Sequence, residues 1–411
     1  MHQEDWAALT SRNPDDVEKA LREGADPHWR DEETGLTAMI WQARKGPPAC
    51  LRALLTVSDV NALCLKEQRN ALMWALAVQK TENAFMLIGG TNLAHKARGG
   101  VNVLQIALSA GVNDEWASAN GRRHAKMLGV LANATEPHEK QWRQIAEVAV
   151  ASGDFELLRK SAGKCDFKNL TVFEKGMRGR KIKPLMAAAR AGNAQMLCFL
   201  IAEGHSPSEP DNSDRGCTPL MVAAGRTGQE GALDCVKALL PLVEAEAVNG
   251  LGARAIEVAA EAGNAAAFSL LLAKSDPERR DAKGSTLLHE LVARVVLKRH
   301  PHTEAETLKM IGLLARQADL GSRSAEGKTA LEIAAQGASW ACMDSLMGSM
   351  PAKEAAKAMA EITERMLPQT ARLMEARELE RAIEEAREAA SGERRARIQP
   401  DGDQKKRASR I

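Results

Sequence analysis

The sequence predicts an all-α protein built by stacking short helical hairpins, and three observations carry that expectation. A helix-opening pattern, Gly216-Cys217-Thr218-Pro219-Leu220-Met221-Val222-Ala223-Ala224, returns in looser copies along most of the chain. Successive copies lie 32–43 residues apart, too close for each to enclose a core of its own, so each must bury its apolar side against a neighbour. Composition agrees: 45% of the 411 residues are hydrophobic, yet 3% are aromatic and tyrosine is absent, which suits helices that meet through small side chains.

The best copy explains itself physically. Thr218 is placed to cap the orphan amides of a first helical turn, and Pro219 follows where its missing N–H costs nothing. Ala223 and Ala224 leave a smooth helix face. A second apolar face follows at helical spacing in Leu233, Val236, Leu239 and Leu240. Copies open at Lys183-Pro184, Arg254-Ala255, Ser285-Thr286 and Lys328-Thr329, with looser ones at Thr37, Asn70 and Asn102 and the weakest bracketing Gln144. At the start, Asn13-Pro14-Asp15-Asp16 begins a helix and Gly24-Ala25-Asp26-Pro27 closes it, as expected of a polar end-capping hairpin.

This pattern resembles the ankyrin repeat, whose signature is Gly-x-Thr-Pro-Leu-His-x-Ala-Ala near a 33-residue period. The resemblance covers roughly residues 3–350, is most specific at 216–224, and is good at 184–193, 252–264 and 327–335. It implies an all-α ankyrin-repeat solenoid of about nine or ten helix-turn-helix units with a C-terminal helical extension. Only His289 keeps the histidine that in this family ties one finger loop to the next, so the remaining fingers are expected to be held more by packing.

The expected organisation is N-terminal ankyrin-like repeats over 1–162 (1–30 as cap), a basic loop or joint over 163–182, C-terminal repeats over 183–350, a helical extension over 351–390 and a disordered basic tail over 391–411. Gly111–Asp114 and Ala119–Arg123 suggest an inserted loop, and Lys298–Thr303 a second insertion. Trp41 and Trp74 fill the same slot in successive units, as stacked core aromatics or, alternatively, a ligand-binding pair. The stripe Leu373, Ala376, Leu379, Ile383, Ala386 and Ala390 suits a helix that leaves the array or folds back, or self-association through a short coiled coil over 373–390.

Charge and cysteine usage exclude more than they assign. The formal net charge of +2 demands neither nucleic acid nor membrane, and no apolar run is long enough to span a bilayer. Seven cysteines without a Cys-x-x-Cys pair read as reduced, mostly buried thiols in a cytoplasmic protein, with a nuclear location open if the source is eukaryotic. Three tempting motifs fail. Gly250-Leu251-Gly252 lacks the preceding buried strand of a dinucleotide site, Gly327-Lys328-Thr329 lacks the first glycine of a phosphate loop, and His289-Glu290 lacks its second histidine. We therefore expect no catalytic residues, no metal site and no cofactor.

Protein binding is the better lead. In the ankyrin family the fingers and the ends of the first helices line a partner-gripping face. Projected onto this chain, that face carries twelve basic residues: Arg44, Lys45, Lys66, Arg69, Arg98, Arg180, Arg190, Arg215, Arg226, Lys283, Arg294 and Lys328. Only five acids share it: Glu33, Glu67, Asp214, Glu261 and Glu326. The excess reads as a mildly basic groove for acidic protein segments, or as a residue preference of the repeat. The expected function is a non-catalytic adaptor or scaffold. Alternatives are a secreted or regulatory effector using the same face, and nucleic-acid association through the groove and the clusters Arg394–Arg397 and Lys405–Arg407, which lack interleaved aromatics. The acidic stretch 375–388 is a further candidate occupant of the basic face.

Overall fold

A computed structural model describes residues 2–110, 119–168, 170–173, 181–213, 215–228, 231–298 and 304–365. The 373–390 stripe, the acidic stretch 375–388, the tail, Arg180, Asp214 and most of the second insertion lie outside them. Among the described residues the chain is all-α apart from one two-residue ladder, and the ankyrin-type expectation holds hairpin after hairpin.

Internal contacts divide the chain into two parts, 1–258 and 259–411. The first part begins with a capping hairpin, α1 (His2–Leu9) and α2 (Pro14–Arg22), followed by α3 (Ala38–Lys45) with α4 (Pro48–Leu54) and α5 (Ala71–Ala77) with α6 (Thr81–Ile88). Next come α7 (Val103–Ala110) with α8 (Ala119–Thr135), α9 (Glu139–Ser152) with α10 (Phe155–Lys160), α11 (Pro184–Ala191) with α12 (Ala194–Ala202), and α13 (Pro219–Ala224) with α14 (Ala232–Leu239). First helices stack on first helices, from α3 through α13, and second helices on second, from α2 through α14. The boundary falls inside α15 (Ala255–Ala262), which is followed by α16 (Ala265–Leu272). In the second part, α17 (Leu287–Val296) pairs with α18 (Glu304–Leu314), α19 (Ala330–Gln336) with α20 (Trp340–Met347), and α21 (Ala352–Arg365) closes the described chain.

Local chemistry sets the helix starts. Thr218 Oγ accepts from the Met221 amide at 3.3 Å, Asn70 from Met73 at 3.0 Å, and Thr329 from Glu332 at 3.2 Å. Each such cap satisfies an amide that the helix itself leaves open and stabilises by about 1 kcal/mol. Before these helices the finger turns back through residues with positive φ, among them Gly216, Gly252 and Gly327.

The core is thin and made of paired apolar stripes. Met39, Ile40, Leu51, Leu54, Leu72, Met73 and Leu87 are fully enclosed near one end of the first part. Polar side chains close the seams. Buried Gln42 donates to the Leu9 and Ser11 carbonyls at 2.9 and 2.8 Å, joining the cap to the first repeat. Asn83 donates to the carbonyls of Gln42, Ala43 and Gly46, satisfying the open C-terminus of α3 from α6 in the next hairpin. Gly231, at φ 93°, lies so close to Gly192 that an added Cβ would sit 2.2 Å from its carbonyl oxygen.

Several expectations need correction. Ala119–Arg123 is the first turn of α8 rather than inserted loop: Ala125, Met127 and Leu128 give that helix a buried face, and burial outweighs the turn character of Asn120-Gly121. The fourth-to-fifth repeat boundary is set by His138, whose amide is satisfied by Gln141 at 3.2 Å, so Gln144 sits inside α9 rather than at its start. Cys198 is exposed, because it falls on the solvent side of α12 while Cys235 is buried.

The fingers, finally, are tied by hydrogen bonds as well as by packing. Arg30 bridges the Gly35 carbonyl of its own finger and the Leu63 carbonyl of the next. Arg280 does the same with Gly284 and Arg323. Arginine at the finger base thus supplies a link like those of His289, whose Nε2 meets the Ser322 carbonyl at 3.1 Å, and of His95, whose Nε2 meets the Gln68 carbonyl at 2.7 Å. Within the basic stretch 163–182, Val172–Phe173 (β1) pairs antiparallel with Lys181–Ile182 (β2), an elongated version of the single bridges found in other fingers.

Candidate functional site

The most developed surface in the first part is built from α3, α5 and the finger before α5. Trp41 and Trp74 stand 33 positions apart on stacked first helices, each half-buried rather than enclosed. The expected core stack is therefore not what forms. Cations from the ends of the first helices and from the finger lie against their rings. Arg44 stacks over the Trp74 ring at 4.5 Å from its centre, Arg69 approaches the same ring at 5.1 Å, and Lys45 approaches Trp41 at 5.9 Å. The finger fixes the indole: Trp74 Nε1 donates to Cys64 Sγ at 3.4 Å, and the Arg69 amide donates to the same sulfur. Leu65, at the tip of that finger, is 67% exposed.

Stacking leaves a cation usable. A guanidinium lying on an indole gains about 0.5–1 kcal/mol at an exposed site, while its N–H edges still point outward. Among the described residues no carboxylate pairs with Arg44 or Lys45. Arg69 does hold one, Glu67, at 2.9 Å.

The other predicted basic residues fare differently. Lys66 and Arg98 are exposed on adjacent fingers, with the Arg98 guanidinium on the Lys66 carbonyl at 3.3 Å. Arg190 lies 3.7 Å from the nearly buried carboxylate of Asp211. Arg215 is exposed and its carbonyl accepts from Gly250; Arg226 is half-buried. In the second part Lys283 is exposed, Arg294 sits between Glu290 at 2.6 Å and Glu261 at 3.8 Å, and Lys328 meets Glu326 at 3.0 Å. Three of the five acids counted on the face thus hold three of its bases.

The role of Arg254 escaped the sequence reading. Arg254, only 1% exposed, joins Glu246 at 3.0 Å and Glu257 at 2.8 Å, occupying the place of the repeat's threonine. The signal was present: Glu at the third helical position after an Arg, with a second Glu eight residues before it.

Comparison with known proteins bears on these repeats directly. A family model described as ankyrin repeats, in three copies, matches residues 147–249. That match assigns ankyrin repeats to residues 147–249, about a quarter of the chain. The ankyrin array is also similar to a solved structure, the ankyrin repeat domain of Bcl-3, titled a unique member of the IkappaB protein family. Identity is 22% over 50% of this chain and 85% of that one, with a TM-score of 0.38. No curated protein sequence matches the chain. Ankyrin repeats make this a protein-interaction fold. Among the described residues no helix is long and apolar enough to cross a membrane, and no group of three or more His, Cys, Asp or Glu is placed to hold a metal ion.

Proposed function

We propose that this ankyrin-repeat protein is a non-catalytic adaptor that grips an acidic segment of a partner protein on the Trp41–Trp74 face. The observation that carries the reading is the stacking of Arg44 and Arg69 on one half-buried indole, beside Lys45 and exposed Leu65. Positive charge there accelerates encounter and selects register, while the indoles and Leu65 supply apolar contact. The same chemistry serves a resident scaffold or an effector delivered elsewhere. A nucleic-acid reading has one observation in its favour, since half-exposed indoles among cations can stack bases.

Labelled acidic, neutral and basic peptides of one length, titrated against the full chain by anisotropy at low and high salt, test the reading. Binding should be confined to the acidic peptide and weaken with salt. Arg44→Ala with Arg69→Ala should reduce affinity by at least about tenfold, as lost charge-assisted hydrogen bonds would. Arg294→Ala should stay within about twofold, as rim and self-paired charges do. Indifference to peptide charge and ionic strength would sink the proposal, and displacement of the peptide by a mixed-sequence oligonucleotide at lower concentration would favour nucleic acid.

A further inference from the structure

The last repeat ends differently from those before it. Earlier in the array one finger is backed by the next. The Arg98 amide donates to the Glu67 carbonyl at 2.9 Å, and the Gly250 amide to the Arg215 carbonyl at 2.7 Å. Glu278 likewise accepts from the Asp319 amide and the Ser322 hydroxyl, at 2.6 and 2.8 Å. After α20 no finger follows: the chain turns through Gly348–Pro351 straight into α21. A groove of about 500 Å³ lies between that turn, α21, the base of the last finger and the start of α19.

The groove is apolar in part and acidic in balance. Buried Ala315, Leu331 and Ile362 line it, with half-buried Leu320 and Met350. Of α21's described side chains only Ile362 is buried, so little of that helix's own apolar surface fills the space. Four carboxylates stand in the lining, Asp319, Glu332, Glu354 and Glu361, against two guanidiniums, Arg316 and Arg323. Arg323 is already engaged by Glu332 at 3.4 Å and the Gly327 carbonyl at 2.6 Å. Glu361 has only a loose, exposed contact with Lys357 at 3.9 Å. Among the described residues Asp319 and Glu354 hold no cation, and both are exposed.

From this arrangement we infer that the groove is the docking site of the chain's own C-terminal segment 391–411, laid down as a further finger. The segment carries seven Lys and Arg against three Asp and Glu, the sign that the groove lacks. Between its two basic clusters stands Pro400-Asp401-Gly402, a turn sequence in which proline presets φ, aspartate accepts following amides and glycine supplies positive φ. The finger before α17 uses the same chemistry: Asp281 accepts from the Lys283 and Ser285 amides at 2.9 and 2.8 Å, and Gly284 turns at φ 80°. Residues 366–393 make the connection, which starts at the groove's rim because Ile362, in the last turn of α21, lines it. The site shares no residue with the Trp41–Trp74 face, so either reading can fail alone.

Carbodiimide cross-linking of the dilute full chain, mapped by peptide mass, tests this. Amides should join Lys405 or Lys406 to Asp319, Glu354 or Glu361 within one chain, and about 0.5 M salt should suppress them. Asp319→Asn with Glu354→Gln should cut the remaining yield at Glu361 by about threefold or more, because two of three counter-charges are gone. A labelled 391–411 peptide gives a second readout. Full chain with glutamine at the tail's seven Lys and Arg positions should bind it about tenfold more tightly than wild type, whose tethered tail competes at high effective concentration. Tail links confined to other carboxylates, links formed only between copies, or equal peptide affinity in the two chains overturns the inference.

Discussion

Arg44 in the first part and Arg294 in the second begin from the same place, the last turn of a first helix, and end in opposite states. Arg44 lies on an indole with its charge open. Arg294 is clamped by Glu290 and Glu261 and is only 18% exposed. The difference is made by what stands beside each. Trp74, one repeat on, gives Arg44 a surface to lie on without a counter-charge, whereas Glu290 sits four residues before Arg294 on its own helix, at ion-pair spacing. In this pair the aromatic neighbour leaves the charge open and the acidic neighbours consume it. Counting charges by position finds both kinds and cannot separate them.

The most severe way to break that distinction is to test whether carboxylate-enclosed arginines are structural. Arg254 is the extreme case, 1% exposed between Glu246 and Glu257. Removing it leaves two partly buried carboxylates facing each other, and loss of one partner from such a group costs about 3–5 kcal/mol. Because the two glutamates keep 30% and 23% exposure, the lower end is expected. Arg254→Met should shift the urea midpoint accordingly, and adding Glu246→Gln and Glu257→Gln should restore part of the loss. A midpoint within experimental scatter of wild type would show that enclosure by acids does not mark a structural arginine.

A buried titrating group on α8 sharpens the same comparison. His124, on α8, has Nε2 3.1 Å from the Ala107 carbonyl, and burial lowers its pKa to about 4, with that carbonyl opposing the shift. The unfolded imidazole titrates near 6.5, so between pH 6.5 and 4 the unfolded chain binds the extra proton. Stability from this group is complete above pH 6.5 and is lost as pH falls toward 4, by roughly 3 kcal/mol, with no further loss below. His124→Gln, which can still donate to Ala107, should flatten this part of the stability profile. Parallel acid limbs in the variant and the wild type would refute the assignment.

Much of the fold was legible because repeat physics is local. Thr218, Asn70 and Thr329 cap where the pattern places them, and the finger glycines turn where positive φ is needed. Hairpins without the pattern were harder to read. α8 was hidden because Asn120-Gly121 reads as a turn until the buried face of Ala125, Met127 and Leu128 outweighs it. The candidate site was half legible. Arg44 and Lys45 follow Trp41 at helical spacing, but Arg44 uses the indole of the next repeat, a contact across 30 residues that no local pattern encodes. Arg30 and Arg280 were missed for the same reason, since their acceptors are carbonyls on the following finger.

The smallest effect probes the weak end of the comparison. Lys328 meets Glu326 at 3.0 Å, but the glutamate side chain is 76% exposed. Water screens such a pair, so Lys328→Ala should change stability by less than about 0.5 kcal/mol. Its effect on peptide binding is the sharper measurement. An exposed lysine held so loosely can leave its glutamate at little cost, unlike Arg294, which two acids enclose. If the aromatic neighbour is what makes a cation available, Lys328→Ala leaves acidic-peptide affinity unchanged. If weak pairing suffices, affinity falls measurably, and the binding face extends to lysines with no indole beneath them.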